Sequence, residues 1–166
     1  MTLQEDPKDI VVVGAARTPQ GRMLGALAKK SVVDLGAETI KAVLERSGVA
    51  ADAVDYVLMG QVVQAGSGQN PAKQSAVAAG IPMNVPAMTV NKVCLSGLDA
   101  VINASRLIRL GDASIVVAGG QESMTNAPHI AAGVRAGKGY GSLALQDSLE
   151  RDGLSDPNEG TAMGLE

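Results

Sequence analysis

The chain has 166 residues, enough for one domain with a substantial core. Hydrophobic residues make up 46% of it and aromatic residues only 1%, so we expect a core of aliphatic side chains and alanine. The net charge of −3 provides no basic surface for nucleic acid or an anionic membrane, and no apolar run is long enough to span a bilayer. A single cysteine excludes an internal disulfide and, with no recognisable signal peptide, favours a cytoplasmic location.

The first predicted strand is a continuous apolar run over residues 10–13, as in strands that are buried on both faces. Gly14 follows this run, but the later glycines of a dinucleotide-binding fingerprint are missing. A helix is predicted next. Ser31 and Asp34 resemble a capping box at its start, and Gly48 ends it.

The middle of the chain alternates strands and helices. We predict a second strand over residues 55–60, a polar loop over 64–69, and a helix from Pro71 to about residue 79 with Asn70 as its N-cap. A third strand, a helix and a fourth strand are predicted over residues 87–90, 96–110 and 114–118.

This alternation predicts an α/β fold, a mostly parallel sheet with helices on both faces and right-handed crossovers. Apolar residues cover more than one side of the 96–110 helix, which we therefore expect to be largely buried. We assign the α/β domain to residues 1–120. Residues 121–166 are rich in glycine and predict an irregular loop region, in which only 142–151 has a helical pattern.

Cys94 is the strongest candidate for a catalytic residue. It lies where a predicted strand passes into a predicted helix, and the free N–H groups and dipole of a helix start favour negative charge. The ordinary alternative is an inert, buried cysteine. Ser96 and Gly97 remove side-chain bulk near the thiol, where a substrate would approach, and this favours a nucleophile.

Four segments, in the same order along the chain, resemble motifs of the thiolase family. They are residues 16–19 (ARTP, with Gly21), 68–72 (GQNPA), 91–97 (NKVCLSG) and 116–124 (VVAGGQESM). The resemblance extends from about Ile10 to the end of the chain, and it implies a thiolase-like half-fold followed by the start of a loop domain.

The resemblance also implies a reaction. Thiolases transfer an acyl group between a cysteine and coenzyme A while a 3-ketoacyl-CoA is formed or cleaved. Cys94 would be the acyl acceptor, with its own amide in the oxyanion hole. Leu154 and Met163 would line the path of the pantetheine arm, although ordinary apolar packing also explains both residues. Acyl-CoA would be a substrate, with no permanently bound cofactor, and the assembly a homodimer or homotetramer.

The sequence departs from the family in one main respect. Thiolases take their catalytic histidine and second cysteine from a C-terminal half, which has no counterpart here. We therefore expect the N-terminal part of a longer enzyme, without thiolytic turnover of its own. The single histidine, His129, is a poor candidate for the base. One cysteine and one histidine form no recognisable metal cluster.

Two other functions stay open at this point. One is a decarboxylating condensing enzyme of the same superfamily, and the other is a catalytically silent acyl-CoA-binding or assembly module. Ala162 stands where several acetoacetyl-CoA-forming thiolases carry histidine, which leaves longer 3-ketoacyl substrates open. Glu122 follows the fourth predicted strand, and we favour a structural role for it, in which its carboxylate holds loops by hydrogen bonds.

Overall fold

The computed structural model describes residues 9–165. Its main elements are the helices α1 (Val32–Ser47), α2 (Pro71–Ala78) and α3 (Ser96–Leu110) and the strands β1 (Tyr56–Gly60), β2 (Ala87–Val90) and β3 (Val116–Gly120). Two short strands, β4 (His129–Ile130) and β5 (Gln146–Asp147), pair antiparallel. Single helical turns lie at Ala51–Ala53, Met124–Asn126, Val134–Ala136, Glu150–Leu154 and Met163–Leu165. Over the described range, none of the helices combines the length and apolarity that crossing a membrane requires.

The helix boundaries follow from local sequence. Ser31 Oγ accepts a hydrogen bond from the Asp34 amide at 3.1 Å, and Asp34 Oδ2 accepts one from the Ser31 amide at 2.9 Å. This confirms the capping box, with Asp in place of the usual Glu or Gln. Asn70 caps α2 through its side chain, and α1 ends at Gly48 with a φ of +70°, which glycine adopts without steric cost.

The three main strands form one parallel sheet in the order β2-β1-β3. On one face, Ile40 of α1 and Ala76 of α2 pack with Met59 of β1. On the other face, Ala100 and Ala104 of α3 pack with Leu58 of β1 and its neighbours. The predicted α/β fold with helices on both faces of a parallel sheet is therefore confirmed.

The strand predicted over residues 10–13 is not formed. Val11, Val12 and Val13 are 70%, 83% and 66% exposed. Val12 and residues of β3 line the same groove of about 450 Å³, and among the described residues this segment pairs with no strand. The apolar run indicated side chains that favour burial, but it carried no information on which strand edge they would meet.

Two further predictions are wrong, the second only in part. Helix α3 is not largely buried, because Leu98 and Val101 are 58% and 45% exposed while the small residues Ala100 and Ala104 face the sheet. Residues 142–151 are helical only at their end. The first part contains β5 and no helix, whereas helical residues begin at Ser148 and lead into the turn at Glu150–Leu154, with Ser148 and Leu149 buried.

Candidate functional site

The carboxyl ends of the three parallel strands meet at one edge of the sheet. Chain segments that begin at Gln61, Asn91 and Gln121 leave this edge after β1, β2 and β3. In open α/β sheets this is the edge that binds ligands, because loops from neighbouring strands converge there. Cys94 lies in the second of these segments.

Cys94 lies in a short turn between the end of β2 and the start of α3. The residue is exposed, and its thiol makes no hydrogen bond to any residue in the described part of the chain. The prediction that Cys94 lies where a strand passes into a helix is confirmed. Its thiol is thus accessible to a reagent or a substrate in solution.

The residue before the cysteine has an unusual backbone conformation. Val93 has a φ of +49°, a left-handed value that is rare for a β-branched residue. Such a conformation costs about 1–3 kcal/mol and persists only where surrounding contacts enforce it. Here the Val93 amide donates to Asn91 Oδ1 at 3.0 Å, and the Val93 carbonyl accepts from the Ser96 amide at 3.0 Å. The turn is therefore restrained on both sides of Val93.

The first turn of α3 lies directly on the ends of β1 and β3. A Cβ added to Gly60 would lie 2.5 Å from the Ser96 carbonyl carbon and 2.6 Å from the Gly97 nitrogen. The Ser96 side chain is buried and accepts a hydrogen bond from the Lys92 amide at 2.9 Å. Ser96 and Gly97 thus serve the contact between helix and sheet. Their role in leaving space for a substrate stays a prediction.

An ion pair joins the turn to the helix. Lys92 Nζ lies 2.8 Å from Asp99 Oδ1, with side-chain exposures of 59% and 17%. The hydrogen bond from Lys92 lowers the pKa of Asp99, and the carboxylate also accepts a hydrogen bond from Asn103. Because the lysine remains well exposed, this pair contributes little stability, and we regard it as a local restraint on the turn.

Glu122 joins the end of β3 to the residues that follow β1. Its Oε2 accepts hydrogen bonds from the amides of Val62 at 2.7 Å and Val63 at 3.4 Å. Burial raises the pKa of Glu122, against the opposing effect of these N–H groups. Within residues 9–165, Oε1 is buried without a hydrogen-bond partner. These contacts agree with the structural role predicted for the residue.

A buried polar network lies beneath the same edge. Gln121 Oε1 accepts a hydrogen bond from Ser75 Oγ at 2.7 Å, and Gln121 Nε2 donates to Gln61 Oε1 at 3.2 Å. Gln61 in turn donates to Ser67 Oγ at 3.0 Å. Gly36 of α1 makes room for the network, since a Cβ there would lie 2.0 Å from Gln121 Oε1. The network connects α1, α2, β1 and β3 behind the site.

The other predicted site residues lie in the last part of the chain. Leu154 and Met163 are 43% and 47% exposed. A Cβ on Gly153, next to Leu154, would lie 3.4 Å from Val63 Cγ2, so this turn contacts the segment that follows β1. Their role at a pantetheine path stays a prediction. His129 is exposed in β4, opposite Asp147 in the antiparallel pair.

The sequence reasoning missed the contribution of Asn91. Its Nδ2 donates to the Val62 carbonyl at 3.2 Å, while its Oδ1 accepts from the Val93 amide two residues on. Asparagine commonly bonds to the backbone two residues ahead in this way. An Asn three residues before the candidate cysteine was therefore a usable signal. The contact with Val62 was not accessible from sequence, because it joins segments 29 residues apart.

The fold and the site together define a class: a parallel α/β protein with an exposed cysteine, on a restrained strand-to-helix turn, at the ligand-binding edge of its sheet. Comparison with known families is consistent with this description. The sequence profile of the family described as "Thiolase, N-terminal domain" matches residues 10–166. The chain belongs to the thiolase family.

The chain is also similar in sequence to named members of this family. The chain is 54% identical over 157 residues to an acetyl-CoA acetyltransferase of Cupriavidus necator. It is 53% identical over 154 residues to a probable acetyl-CoA acetyltransferase of Mycobacterium leprae, and 54% identical over 149 residues to one of Escherichia coli. These alignments cover 90% to 95% of this chain but only 38% to 40% of the relatives. The chain thus spans about two fifths of their length.

Proposed function

We propose that the chain supplies the nucleophile of an acyltransferase of the thiolase type, with Cys94 as the residue that becomes acylated. The observation that carries the proposal is the exposed Cys94 thiol on a turn held by the strained Val93, at the carboxyl edge of a parallel sheet. The family membership supports it, because the relatives are named acetyl-CoA acetyltransferases.

The proposed step is a thioester exchange. The Cys94 thiolate attacks the carbonyl carbon of an acyl-CoA, and a new sulfur–carbon bond forms in a tetrahedral intermediate. N–H groups at the start of α3 stabilise the oxyanion. The intermediate then collapses, the bond to the coenzyme A sulfur breaks, and the departing thiolate takes up the proton that the cysteine released. The products are an S-acyl cysteine and free coenzyme A.

Acetyl-CoA is the substrate that we propose first. The names of the relatives favour it, whereas Ala162 left longer 3-ketoacyl substrates open. We also propose that Leu154 and Met163 contact the pantetheine arm. The contact of Gly153 with Val63 supports this for Leu154.

Carbon–carbon bond formation or cleavage requires more groups than this chain contains. It has one cysteine and one histidine, and His129 lies exposed in the β4–β5 pair. We therefore propose that Cys94 acylation is the partial reaction that this chain can carry out, and that condensation or thiolysis belongs to the complete gene product. A homo-oligomeric assembly and a cytoplasmic location are part of the same proposal.

The test is a mass spectrum of the denatured chain after incubation with acetyl-CoA. We expect one acetyl group that neutral hydroxylamine removes, as it removes thioesters, and that peptide mapping assigns to Cys94. The Cys94→Ala variant should acquire no hydroxylamine-sensitive acetyl group. Acetylation that resists hydroxylamine reports lysine modification and does not support the proposal.

The same measurement separates the alternatives. A catalytically silent module would bind acetyl-CoA, as isothermal titration can show, without forming a thioester. A decarboxylating condensing enzyme would release carbon dioxide from malonyl-CoA in the complete gene product, and a thiolase would not. If neither the chain nor the complete gene product forms a thioester at Cys94, the proposed function is wrong.

A further inference from the structure

We infer that Glu122 is a positioning residue for Cys94, and that it acts across the sheet edge through the backbone of Val62 and the side chain of Asn91. The catalytic meaning of this inference rests on the proposed function. The hydrogen-bonded connection itself, from the end of β3 to the turn that carries Cys94, can be tested without an activity measurement.

The connection has three steps. Glu122 Oε2 accepts a hydrogen bond from the Val62 amide at 2.7 Å, and the Val62 carbonyl accepts one from Asn91 Nδ2 at 3.2 Å. Asn91 Oδ1 then accepts one from the Val93 amide at 3.0 Å. The connection thus begins at a half-buried carboxylate and ends at the residue that precedes the nucleophile.

The middle of the connection is well placed to transmit a displacement. Val62 and Val63 form no strand, so the Glu122 carboxylate is what holds their amides at the sheet edge. If the carboxylate is removed, the Val62 carbonyl is free to turn away from Asn91. Asn91 then loses the acceptor that orients its amide group, and the orientation of its Oδ1 toward the Val93 amide is no longer fixed.

Because Val93 is held in a strained conformation, losing its hydrogen bond to Asn91 should change the geometry of the turn. A β-branched residue with a φ of +49° relaxes when its hydrogen bonds weaken, and its relaxation rotates the peptide that leads into Cys94. Acyl transfer requires the thiolate and the oxyanion donors to be aligned with the same carbonyl, and a displacement of about 1 Å can cost about 100-fold in rate. Alkylation by a small reagent needs only an accessible thiolate.

The chain contains a matched control. Asp55 Oδ2 accepts hydrogen bonds from the amides of Ser114 at 2.7 Å and Ile115 at 2.9 Å, at the opposite end of the same two strands. Asp55→Ala therefore removes the same kind of contact as Glu122→Ala, but far along the strands from Cys94. A general loss of stability would affect both variants, and an effect confined to Glu122→Ala would identify positioning.

The first measurement is amide hydrogen exchange at Val93, read by NMR. We expect exchange at Val93 to be about five-fold faster in Glu122→Ala, the factor that corresponds to losing one net hydrogen bond, and unchanged in Asp55→Ala. Glu122→Gln retains an oxygen acceptor for the Val62 amide and should restore the wild-type rate. Equal exchange at Val93 in wild type and Glu122→Ala would overturn the inference.

A double-variant comparison covers the case in which Glu122→Ala does not fold. Asn91 is exposed, so Asn91→Ala should be tolerated, and it should accelerate exchange of the cysteine turn. In a Glu122→Gln background, which we expect to fold, Asn91→Ala should accelerate hydrogen exchange of the Val93 amide by the same factor as in the wild type. Where Glu122→Ala folds, adding Asn91→Ala should cause little further change, since both remove the same connection. If the double variant accelerated exchange by the product of the two separate factors, this would contradict a shared connection.

The second measurement compares two rates at Cys94. In Glu122→Ala we expect acylation by acetyl-CoA to fall about 10- to 100-fold while alkylation by iodoacetamide changes less than about two-fold. Equal losses of both rates would indicate a merely structural role and overturn the inference. If neither the wild-type chain nor the complete gene product is acylated at Cys94, the proposed function fails, and the exchange measurements still decide the structural connection.

Discussion

Asp55 and Glu122 hold the same pair of parallel strands together at opposite ends. Each carboxylate accepts hydrogen bonds from two backbone N–H groups that lie next to the other strand in sequence. Asp55 precedes β1 and accepts from the amides of Ser114 and Ile115, which precede β3. Glu122 follows β3 and accepts from the two amides that follow Gln61. The two carboxylates differ in burial, and their pKa values shift in opposite directions for that reason.

The first prediction concerns acid stability. Hydrogen bonds from the amides of Ile115 and Ser114 lower the pKa of Asp55, so the folded state favours its ionised form. The resulting stabilisation is fully present above the ordinary carboxyl pKa and is lost as the pH falls through the lowered value. Thermal unfolding between pH 6 and pH 3 should therefore show a smaller loss of stability in Asp55→Asn than in wild type. The exposed neighbour Asp52 provides the control, and Asp52→Asn should follow the wild-type curve.

Glu122 should have the opposite pH dependence. Burial raises its pKa, so the folded state favours the protonated form, and stability is lost as the pH rises through the raised value. Glu122→Gln cannot ionise and lacks this loss. We expect its free energy of unfolding, relative to wild type, to be higher at pH 7 than at pH 4, as measured by urea denaturation at both values. A difference that is the same at both pH values would contradict the raised pKa.

Much of the fold was predictable because local chemistry decides it. The capping box at Ser31 and the N-cap at Asn70 satisfy backbone groups with nearby residues, and Gly48 ends α1 in the left-handed conformation; these boundaries were predicted correctly. The apolar runs of β1 and β2 alternate with helices, which determines a parallel sheet. No contact between distant segments was needed for either inference.

The rest depended on contacts between distant segments. The apolar run at residues 10–13 predicted a strand, yet among the described residues it pairs with no strand. Leu98 on α3 is exposed, whereas the start of the helix lies so close to Gly60 of β1 that a Cβ there would be 2.5 Å from the Ser96 carbonyl carbon. At the site, Cys94 was predictable from its position between strand and helix. The contact of Asn91 with Val62 was not, since it depends on how the sheet edge closes.

A further prediction concerns the buried polar network. Replacing glycine by alanine inside a helix usually stabilises a protein by about 1 kcal/mol. At Gly36 the new Cβ would lie 2.0 Å from Gln121 Oε1 and 2.6 Å from Ser75 Oγ. We therefore expect Gly36→Ala to lower the free energy of unfolding by about 1–3 kcal/mol through overpacking.

Denaturant unfolding measures this change directly. Gly139 is a suitable control, because a Cβ there meets no atom within 4 Å, and Gly139→Ala should leave the stability close to that of wild type. A Gly36→Ala variant as stable as wild type would mean that the Gln121 side chain moves aside without cost, and that the network does not hold α1 against the sheet.

The last prediction separates strain at Val93 from its role beside the nucleophile. Glycine adopts a φ of +49° without the steric cost that valine incurs, and this gain offsets the greater entropy that glycine loses on folding. Val93→Gly should therefore change the free energy of unfolding by no more than about 1 kcal/mol, in the stabilising direction. Acylation of Cys94 should nevertheless slow about 10-fold or more, because the turn is free to leave the aligned conformation. Leu24, with a φ of +57°, allows the same relief of strain elsewhere, and Leu24→Gly should leave acylation unchanged. A Val93→Gly chain that acylates at the wild-type rate would show that a restrained turn is not required for the chemistry of Cys94.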